Sequence, residues 1–169
     1  MDFGSIPLDE LNNKTFSLPK EPSFNAVTFQ ASKGREPKIY VGCAKWGRKD
    51  WVGTLYPEKT KDKEFLDHYA KHFNSIELNA TGYKIYTKDE IAQWSSKIHT
   101  PDFKFCPKAH RGMQYFKDPE QRARITDDFL DNISAFKKYL GPVYFVLKDK
   151  FDQPRQAAFI DYLKTLPTK

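Results

Sequence analysis

The sequence predicts an α/β fold made of repeated, parallel strand–helix units. From residue 38 onward, short apolar runs of strand character alternate with amphipathic helical stretches, and this βα pattern recurs four times by residue 169. Repeated βα units place their strands in parallel through right-handed crossovers. Eight such units close a (β/α)8 barrel, so we expect about the first four units of a barrel, as a truncated barrel or half-barrel.

The first unit begins with a predicted strand at residues 38–43. A loop that carries Gly and Trp residues follows and runs through Pro57. Residues 63–74 predict an amphipathic helix, because apolar side chains recur there at helical spacing. The apolar stripe of this helix comprises Phe65, Leu66, Tyr69, Ala70 and Phe73.

The second predicted strand, residues 75–79, has one apolar and one polar face. Successive side chains of a strand point to opposite faces, so Ile76 and Leu78 share one face while Glu77 and Asn79 share the other. A carboxylate and an amide on one face are unusual for a parallel core strand, which tends to be apolar on both faces. These two polar groups therefore need partners or a substrate.

The remaining elements are predicted from capping signals and periodicity. A capping box at residues 87–90 starts a helix that runs to about residue 97, and residues 103–108 alternate as the third strand. Asp118 and Pro119 fit the N-cap and first position of a helix that ends at Gly141-Pro142. Residues 143–148 predict the fourth strand, and a last helix is expected to bury Ala157, Phe159, Ile160 and Leu163.

Residues 1–37 differ from the rest of the chain. They contain Pro7, Pro19, Pro22 and Pro37 and show no sustained helical or alternating period. We interpret them as an N-terminal extension or arm, followed by one βα-repeat domain over residues 38–169. The 14 Phe, 9 Tyr and 3 Trp residues supply enough apolar surface for that core.

Composition narrows the class of protein. The net charge of +6 fits phosphate-bearing partners, such as a small anionic ligand or nucleic acid, and equally fits a lysine-rich surface. No apolar run is long enough for a membrane span, and the N-terminus lacks the pattern of a signal peptide. We therefore expect a basic, cytoplasmic protein with no membrane association.

The sequence gives little support for a metal, a cofactor or a disulfide. His68 and His72 lie at i, i+4 without the Glu that would complete a zinc motif, and no dinucleotide or phosphate-loop glycine motif occurs. Cys43 and Cys106, on the first and third strands, are expected about 9.6 Å apart, which exceeds the roughly 7 Å limit for a disulfide. Cys106 is interpreted either as a nucleophile or as a small buried residue.

A series of motifs extends along residues 38–151. The series comprises Gly42–Trp46, Asp50–Pro57, Leu66–Phe73, Ile76–Tyr83, Trp94, Pro101–Lys108 and Leu140–Pro142. In this order the motifs resemble the "domain of unknown function 72" family, also called YecE-like. The resemblance implies a TIM-type barrel, and it implies no particular reaction.

The sequence departs from the family pattern in several places. Gly82 stands where the family usually has Phe, and Leu147-Lys148-Asp149 stands where it usually has Leu-Pro-Pro. The Ile-Thr-His that usually follows the third strand is not evident, although His110 lies nearby. The family's second half is also missing, so a half-barrel would leave two open strand edges. We expect self-association, or coverage by the N-terminal arm.

The candidate catalytic residues lie on the second and third strands. In a barrel, functional side chains gather at the carboxyl ends of the strands, where Glu77, Asn79 and Lys108 would share the inward direction. A carboxylate and an ammonium held together can be tuned for proton transfer, with Asn79 orienting the substrate. The alternative is that Glu77 and Lys108 form an ion pair that serves structure only.

Loop residues around this pair are candidates for substrate binding. Cationic or titratable side chains at Lys45, His110, Arg111 and Lys148 are suited to an anion, or else are solvated loop charges. Trp46, Trp51 and Tyr83 are suited to stacking on a base or a sugar ring. The alternative for Trp51 is that it caps the hydrophobic core.

Three hypotheses for function follow from these residues. The first is a barrel-type enzyme that acts by acid/base chemistry on an anionic substrate, either phosphate-bearing or derived from nucleic acid. The second is a non-catalytic module that binds nucleic acid or another polyanion. The third is an incomplete barrel without independent activity.

Overall fold

The computed structural model describes residues 17, 20–31, 34, 36–115, 118–147 and 153–167. These residues belong to two units, one within Met1–Lys38 and one within Ile39–Lys169. In the first unit the described residues form one helix, α1 (Ser23–Ala31). The helix lies in a segment whose sequence shows no sustained helical period, and its residues Phe24 and Val27 are 69% and 71% exposed.

The second unit contains a parallel sheet. Its strands are β1 (Gly42–Cys43), β2 (Ser75–Leu78) and β3 (Lys104–Pro107), in the order β1-β2-β3. Both pairings are parallel, so the predicted α/β fold with parallel strands is confirmed. The order also places β2 between the two cysteine-bearing strands, as expected, and both cysteines are free thiols.

Five α-helices accompany these strands in the described part of the second unit. They are α2 (Phe65–His72), α3 (Lys88–Ser96), α4 (Arg111–Tyr115), α5 (Pro119–Ile133) and α6 (Gln153–Lys164). None of the described helices combines the length and the apolar character needed to cross a bilayer.

Two predicted helix starts are confirmed by their capping contacts. The Thr87 hydroxyl accepts a hydrogen bond from the backbone N–H of Glu90, and the Glu90 carboxylate accepts one from the backbone N–H of Thr87. The Asp118 carboxylate accepts from the backbone N–H of Glu120. Helix α5 ends earlier than predicted, because a 3₁₀ helix at Ser134–Tyr139 follows it and contains Lys137 at a positive φ of 52°.

The core lies between one face of the sheet and the helices. Ile76 and Phe105 are adjacent across β2 and β3, and both are fully buried. Phe105 stacks on Phe136 at 4.5 Å between ring centroids and meets Phe103 edge-on at 5.0 Å. Burial of each such side chain contributes roughly 1.5–3 kcal/mol. The opposite face of the sheet, which carries Glu77 and Cys106, is called the inner face below.

The predicted fourth strand is not a regular strand in the described residues. Gly141 and Tyr144 donate backbone hydrogen bonds to the carbonyls of Phe105 and Pro107, at 2.7 and 3.1 Å, and Tyr144 forms an isolated parallel bridge with Lys108. The N–H and C=O of one strand residue point to the same neighbouring strand. The Pro107 carbonyl points to residues 141–144, but proline has no N–H to donate to them. The hydrogen-bond ladder between β3 and this segment is therefore interrupted at Pro107.

The predicted buried side of the last helix was wrong in part. Ile160 and Leu163 are exposed, whereas Tyr162 is buried. The Tyr162 hydroxyl lies 2.8 Å from the Thr126 hydroxyl of α5, and the Arg122 guanidinium lies over its ring. A buried tyrosine needs a partner for its hydroxyl, so this contact sets the face that α6 turns inward.

The Tyr69 side chain of α2 joins the first two strands. Its hydroxyl donates to the Ser75 carbonyl at 2.8 Å and accepts from the Cys43 N–H at 2.6 Å. The strands also approach closely at Gly42, where a Cβ would lie 1.9 Å from the Ser75 carbonyl oxygen. Only glycine therefore fits at position 42 without moving backbone.

We predict that Tyr69→Phe lowers the free energy of unfolding by roughly 1–3 kcal/mol, because two backbone groups lose a buried partner. Burial raises the pKa of Tyr69 above its ordinary value. As pH rises past about 10, the Tyr69 phenol therefore loses its proton in the unfolded state before it does so in the folded state. The free energy of unfolding falls from that pH upward. Urea unfolding at about pH 8 and about pH 11 should show a shallower decline for Tyr69→Phe than for wild type. The exposed Tyr40→Phe variant serves as control, and an equal decline in all three proteins would contradict the prediction.

Candidate functional site

Polar side chains from β2 and β3 meet on the inner face, at the carboxyl ends of the strands. Glu77 is exposed while its neighbours Ile76 and Leu78 are buried, so the predicted alternation of β2 is confirmed. Cys106 lies beside Glu77 across the two strands. Asn79 begins a 3₁₀ helix at Asn79–Gly82 instead of ending β2, and it still lies near Glu77.

A chain of hydrogen bonds connects these groups. Lys108 Nζ donates to Asn79 Oδ1 at 3.4 Å, and Asn79 Nδ2 donates to Glu77 Oε1 at 3.1 Å. The first contact is at the long limit for a hydrogen bond. The structure thus brings the three candidate catalytic residues together, and the Asn79 amide lies between the ammonium and the carboxylate.

Tyr144 completes the chain, and sequence reasoning missed it. Its hydroxyl donates to Glu77 Oε1 at 3.1 Å. Burial, followed by the contact with Glu77, raises the pKa of Tyr144 above its ordinary value, so the phenol stays protonated and donates. The sequence did place Tyr144 in the predicted fourth strand. That Tyr144 lies opposite Lys108 is visible only in the structure.

Lys108 is positioned by the 3₁₀ helix that follows β2. Thr81 Oγ1 donates to the Lys108 carbonyl at 2.8 Å, which ties the ends of β2 and β3 together. The aliphatic stem of Lys108 lies against Gly82, where a Cβ would be 2.8 Å from Lys108 Cδ. The ammonium then lies over the Tyr83 ring, 5.3 Å from its centroid. Gly82 therefore leaves the space that Lys108 occupies.

A first pocket, the Lys108 pocket, has a volume of about 270 Å³. Its lining includes Gly82, Tyr83, Lys108, Arg111, Gln114 and Val146. Two cationic side chains therefore line one small cavity, which suits an anion. Gln114 also lines the pocket, and its buried Oε1 has no hydrogen-bond partner among the described residues.

His110 lies next to this pocket in sequence without lining it. Its Nδ1 accepts a hydrogen bond from the Gly112 N–H at 3.1 Å. Burial lowers the pKa of His110, and the nearby Arg111 charge lowers it further. The imidazole is therefore neutral near pH 7 and adds no positive charge to the pocket.

A second pocket, the Trp46 pocket, has a volume of about 320 Å³. Its lining includes Ala44, Lys45, Trp46, Leu78, Asn79 and Tyr83. The Trp46 ring meets the Trp94 ring edge-on at 5.5 Å, and the Tyr56 hydroxyl donates to the Trp46 carbonyl at 2.8 Å. These contacts fix Trp46 in place. The pocket is mainly apolar and aromatic, with one lysine.

Trp51, like His110, is a predicted binding residue that lines neither of these two pockets. Trp51 packs on the core rings of Tyr56, Tyr69 and Phe73, at 5.6, 6.4 and 6.1 Å. This packing favours the interpretation of Trp51 as a cap of the hydrophobic core. Lys148 lies outside the described residues, and its part in the site stays a prediction.

The inner face offers little for thiol or metal chemistry. Burial raises the pKa of the Cys106 thiol, which disfavours the thiolate that a nucleophile needs. This shift favours the interpretation of Cys106 as a small, half-buried residue. In the part of the chain that the structure describes, no group of three or more His, Cys, Asp or Glu side chains is placed to hold a metal ion.

The fold and the inner face define an α/β protein with parallel strands and a polar cluster at their carboxyl ends. The family described as "Protein of unknown function DUF72" matches residues 40–169. The chain belongs to this family, as its motifs indicated.

The chain is also similar to three individual proteins. UPF0759 protein YunF from Bacillus subtilis (strain 168) is 35% identical over 106 residues, which cover 62% of this chain and 34% of YunF. UPF0759 protein YecE from Escherichia coli (strain K12) is 26% identical over 129 residues, which cover 76% of this chain and 44% of YecE. A crystal structure of a DUF72 family protein (EF0366) from Enterococcus faecalis V583 has a TM-score of 0.60 at 19% identity, over 77% of this chain and 49% of that protein.

The comparisons concern the fold of the chain and its length relative to these proteins. The likeness to the Enterococcus protein shows the fold alone. The chain spans 34% and 44% of the lengths of YunF and YecE, which is less than half of either protein. The names of these relatives assign no activity.

We predict that Gly82→Ala displaces Lys108 with little loss of stability. The new Cβ would meet Lys108 Cδ and Cγ at 2.8 and 3.0 Å, and a flexible lysine stem moves more readily than backbone. A crystal structure of the variant should show Lys108 Nζ farther than 3.4 Å from Asn79 Oδ1. The free energy of unfolding should change by less than about 1 kcal/mol. Gly47→Ala is the control, because nothing lies within 4 Å of a Cβ there. An unmoved Lys108 in Gly82→Ala would contradict the prediction.

Proposed function

We propose that this protein acts as an enzyme on an anionic substrate by acid/base chemistry, with Glu77 as the group that transfers the proton. The observation that supports this is the hydrogen-bonded chain from Lys108 through Asn79 to Glu77 and Tyr144, at the carboxyl ends of parallel strands. Active sites of barrel enzymes form at this end of the strands.

Each member of the chain has a distinct role in this proposal. Asn79 and Tyr144 both donate to Glu77 Oε1, which orients the carboxylate and keeps Oε2 available for a proton of the substrate. The charges of Lys108 and Arg111 hold the anionic group, because both residues line the same pocket. A positioned carboxylate of this kind contributes typically 10²–10⁴-fold to rate.

A second candidate function is binding of nucleic acid or another polyanion without catalysis. The net charge of +6 and the exposed side chains of Lys45 and Arg111 favour it. The two functions differ in two measurable properties. Polyanion binding weakens steeply as salt rises, because counterions are released, and it does not depend on the Glu77 carboxylate.

We also propose that the sheet is part of a (β/α)8 barrel, and that the edge beside β1 contacts a second copy of the chain. Three parallel strands with Tyr144 bridged beside them, and the fold shared with the Enterococcus protein, support the barrel arrangement. Ile39 and Val41, just before β1, are 74% and 57% exposed. Exposed apolar side chains beside an edge strand favour contact with another chain.

The catalytic proposal is tested by Glu77→Gln. Wild-type protein is incubated with a panel of phosphorylated sugars and nucleotides, and conversion is followed by mass spectrometry. We expect the variant to lose about 10²–10⁴-fold in rate on any converted substrate, since the amide cannot accept the proton. Asp128→Asn, an exposed carboxylate on α5, should keep wild-type rates. Equal rates for Glu77→Gln and wild type would contradict the proposal, and binding without conversion would favour the second function.

The assembly proposal is tested by size-exclusion chromatography with light scattering. We expect a dimer at micromolar concentration, and a monomer for Val41→Lys, because a lysine on an edge strand opposes pairing. Leu163→Lys, an exposed apolar position on α6, should leave the dimer intact. A wild-type protein that stays monomeric at every concentration would refute the assembly.

A further inference from the structure

Tyr83 lines both pockets at the carboxyl ends of the strands. It follows the 3₁₀ helix directly, and its side chain is 64% exposed. Its side chain belongs to the lining of the Lys108 pocket and also to that of the Trp46 pocket. Asn79, which lines the Trp46 pocket, accepts the hydrogen bond of Lys108. The two pockets therefore adjoin along residues 79–83.

The two pockets differ in chemistry. The Trp46 pocket has aromatic walls at Trp46 and Tyr83 and apolar groups at Ala44 and Leu78. Trp46 is held by Trp94 and Tyr56, so it presents a fixed surface to a planar ring. Stacking of one base on an aromatic side chain is worth roughly 1–3 kcal/mol.

The Lys108 pocket suits a phosphate monoester. Lys108 and Arg111 both supply positive charge to this pocket. Lys108 directly follows β3, and Arg111 begins α4. A phosphate carries the negative charge that the two cationic side chains favour.

The sizes of the pockets favour a shared ligand. At about 270 and about 320 Å³, each pocket is near the lower limit for a small-molecule site. A ring and a phosphate joined by a short linker would use both pockets at once. Linking the two groups also avoids the loss of translational freedom that binding two separate molecules would require.

We propose that the two pockets are subsites for one ligand, a small phosphate monoester that carries a planar ring. The ring lies in the Trp46 pocket, the phosphate lies in the Lys108 pocket, and Tyr83 contacts both groups. Asn79 then lies beside the linker, within hydrogen-bonding distance of Glu77. This inference rests on the proposed function for its anion site, and it adds the class of substrate.

Binding to the full chain tests the inference, with isothermal titration calorimetry and three probes: phenyl phosphate, inorganic phosphate and phenol. We expect phenyl phosphate to bind about tenfold or more tightly than inorganic phosphate, as stacking of one ring allows. Phenol should bind more weakly than phenyl phosphate.

Four variants locate the two groups of the ligand. Trp46→Leu should reduce the affinity for phenyl phosphate to that for phosphate, and should leave the affinity for phosphate within about twofold. Tyr83→Ala removes a wall of both pockets, so it should weaken phenyl phosphate by a larger factor than phosphate. Tyr83 is exposed, so its variant should fold even if Trp46→Leu does not. Arg111→Gln should weaken phosphate and phenyl phosphate by the same factor. Arg124→Gln, an exposed arginine on α5, is the matched control and should change neither.

The outcomes separate this inference from the function on which it rests. Equal affinity for phosphate and phenyl phosphate, with Arg111→Gln weakening both, overturns the shared ligand and leaves the anion site. No binding of phosphate or phenyl phosphate overturns both the inference and the anion site of the proposed function. Tight phenyl phosphate binding together with a fully active Glu77→Gln supports the inference and overturns the catalytic role of Glu77.

Discussion

The Tyr69 hydroxyl is the contact on which the placement of the first two strands depends. β1 has only two residues, so its ladder with β2 provides few hydrogen bonds. Tyr69 adds two bonds from the helix side, one to Cys43 and one to Ser75. The Asn74 side chain adds two more, to the carbonyl of Ile39 and the N–H of Val41. Side chains of α2 and of the turn before β2 therefore supply hydrogen bonds that the backbone of a longer β1 strand would otherwise make.

This arrangement sets the register on which the inner face depends. Once Cys43 pairs with Ile76, and Ile76 with Phe105, the apolar side chains of three strands point toward the helices. Glu77 follows Ile76 in the strand, so its side chain points to the inner face. A register shift of one residue would exchange the two faces of the strand. Thr81 ties the end of β2 to Lys108, so Asn79 and Lys108 are held at a distance that one hydrogen bond spans. The geometry of the site thus follows from backbone register more than from direct attraction between charges.

Local signals in the sequence predicted the features that depend on local physics. Capping at Thr87 and Asp118 and the alternation around Glu77 involve neighbours only a few residues apart, and the structure agrees with them. Features set by distant contacts were missed. Tyr144 reaches Glu77 across 67 positions, and the ladder beside it is interrupted by Pro107, which belongs to another strand. Helix α1 was not predicted, because the spacing of apolar residues there shows no sustained helical period. Its described apolar residues are exposed.

The exposure of Glu77 explains how the inner face holds this carboxylate beside the half-buried Asn79 and Lys108 without a direct ion pair. A charge in contact with water avoids the penalty of several kcal/mol that burial imposes. The same water weakens the contacts: a pair of unit charges 4 Å apart gains about 1 kcal/mol in water and about 4 kcal/mol near a protein surface of lower dielectric. Any group that covers the face, whether a ligand ring against Tyr83 or a second chain, expels water and strengthens every polar contact beneath it. The side chains of this site therefore reach their full chemical strength only when the inner face is covered, so the covering group is itself part of the proposed catalytic arrangement.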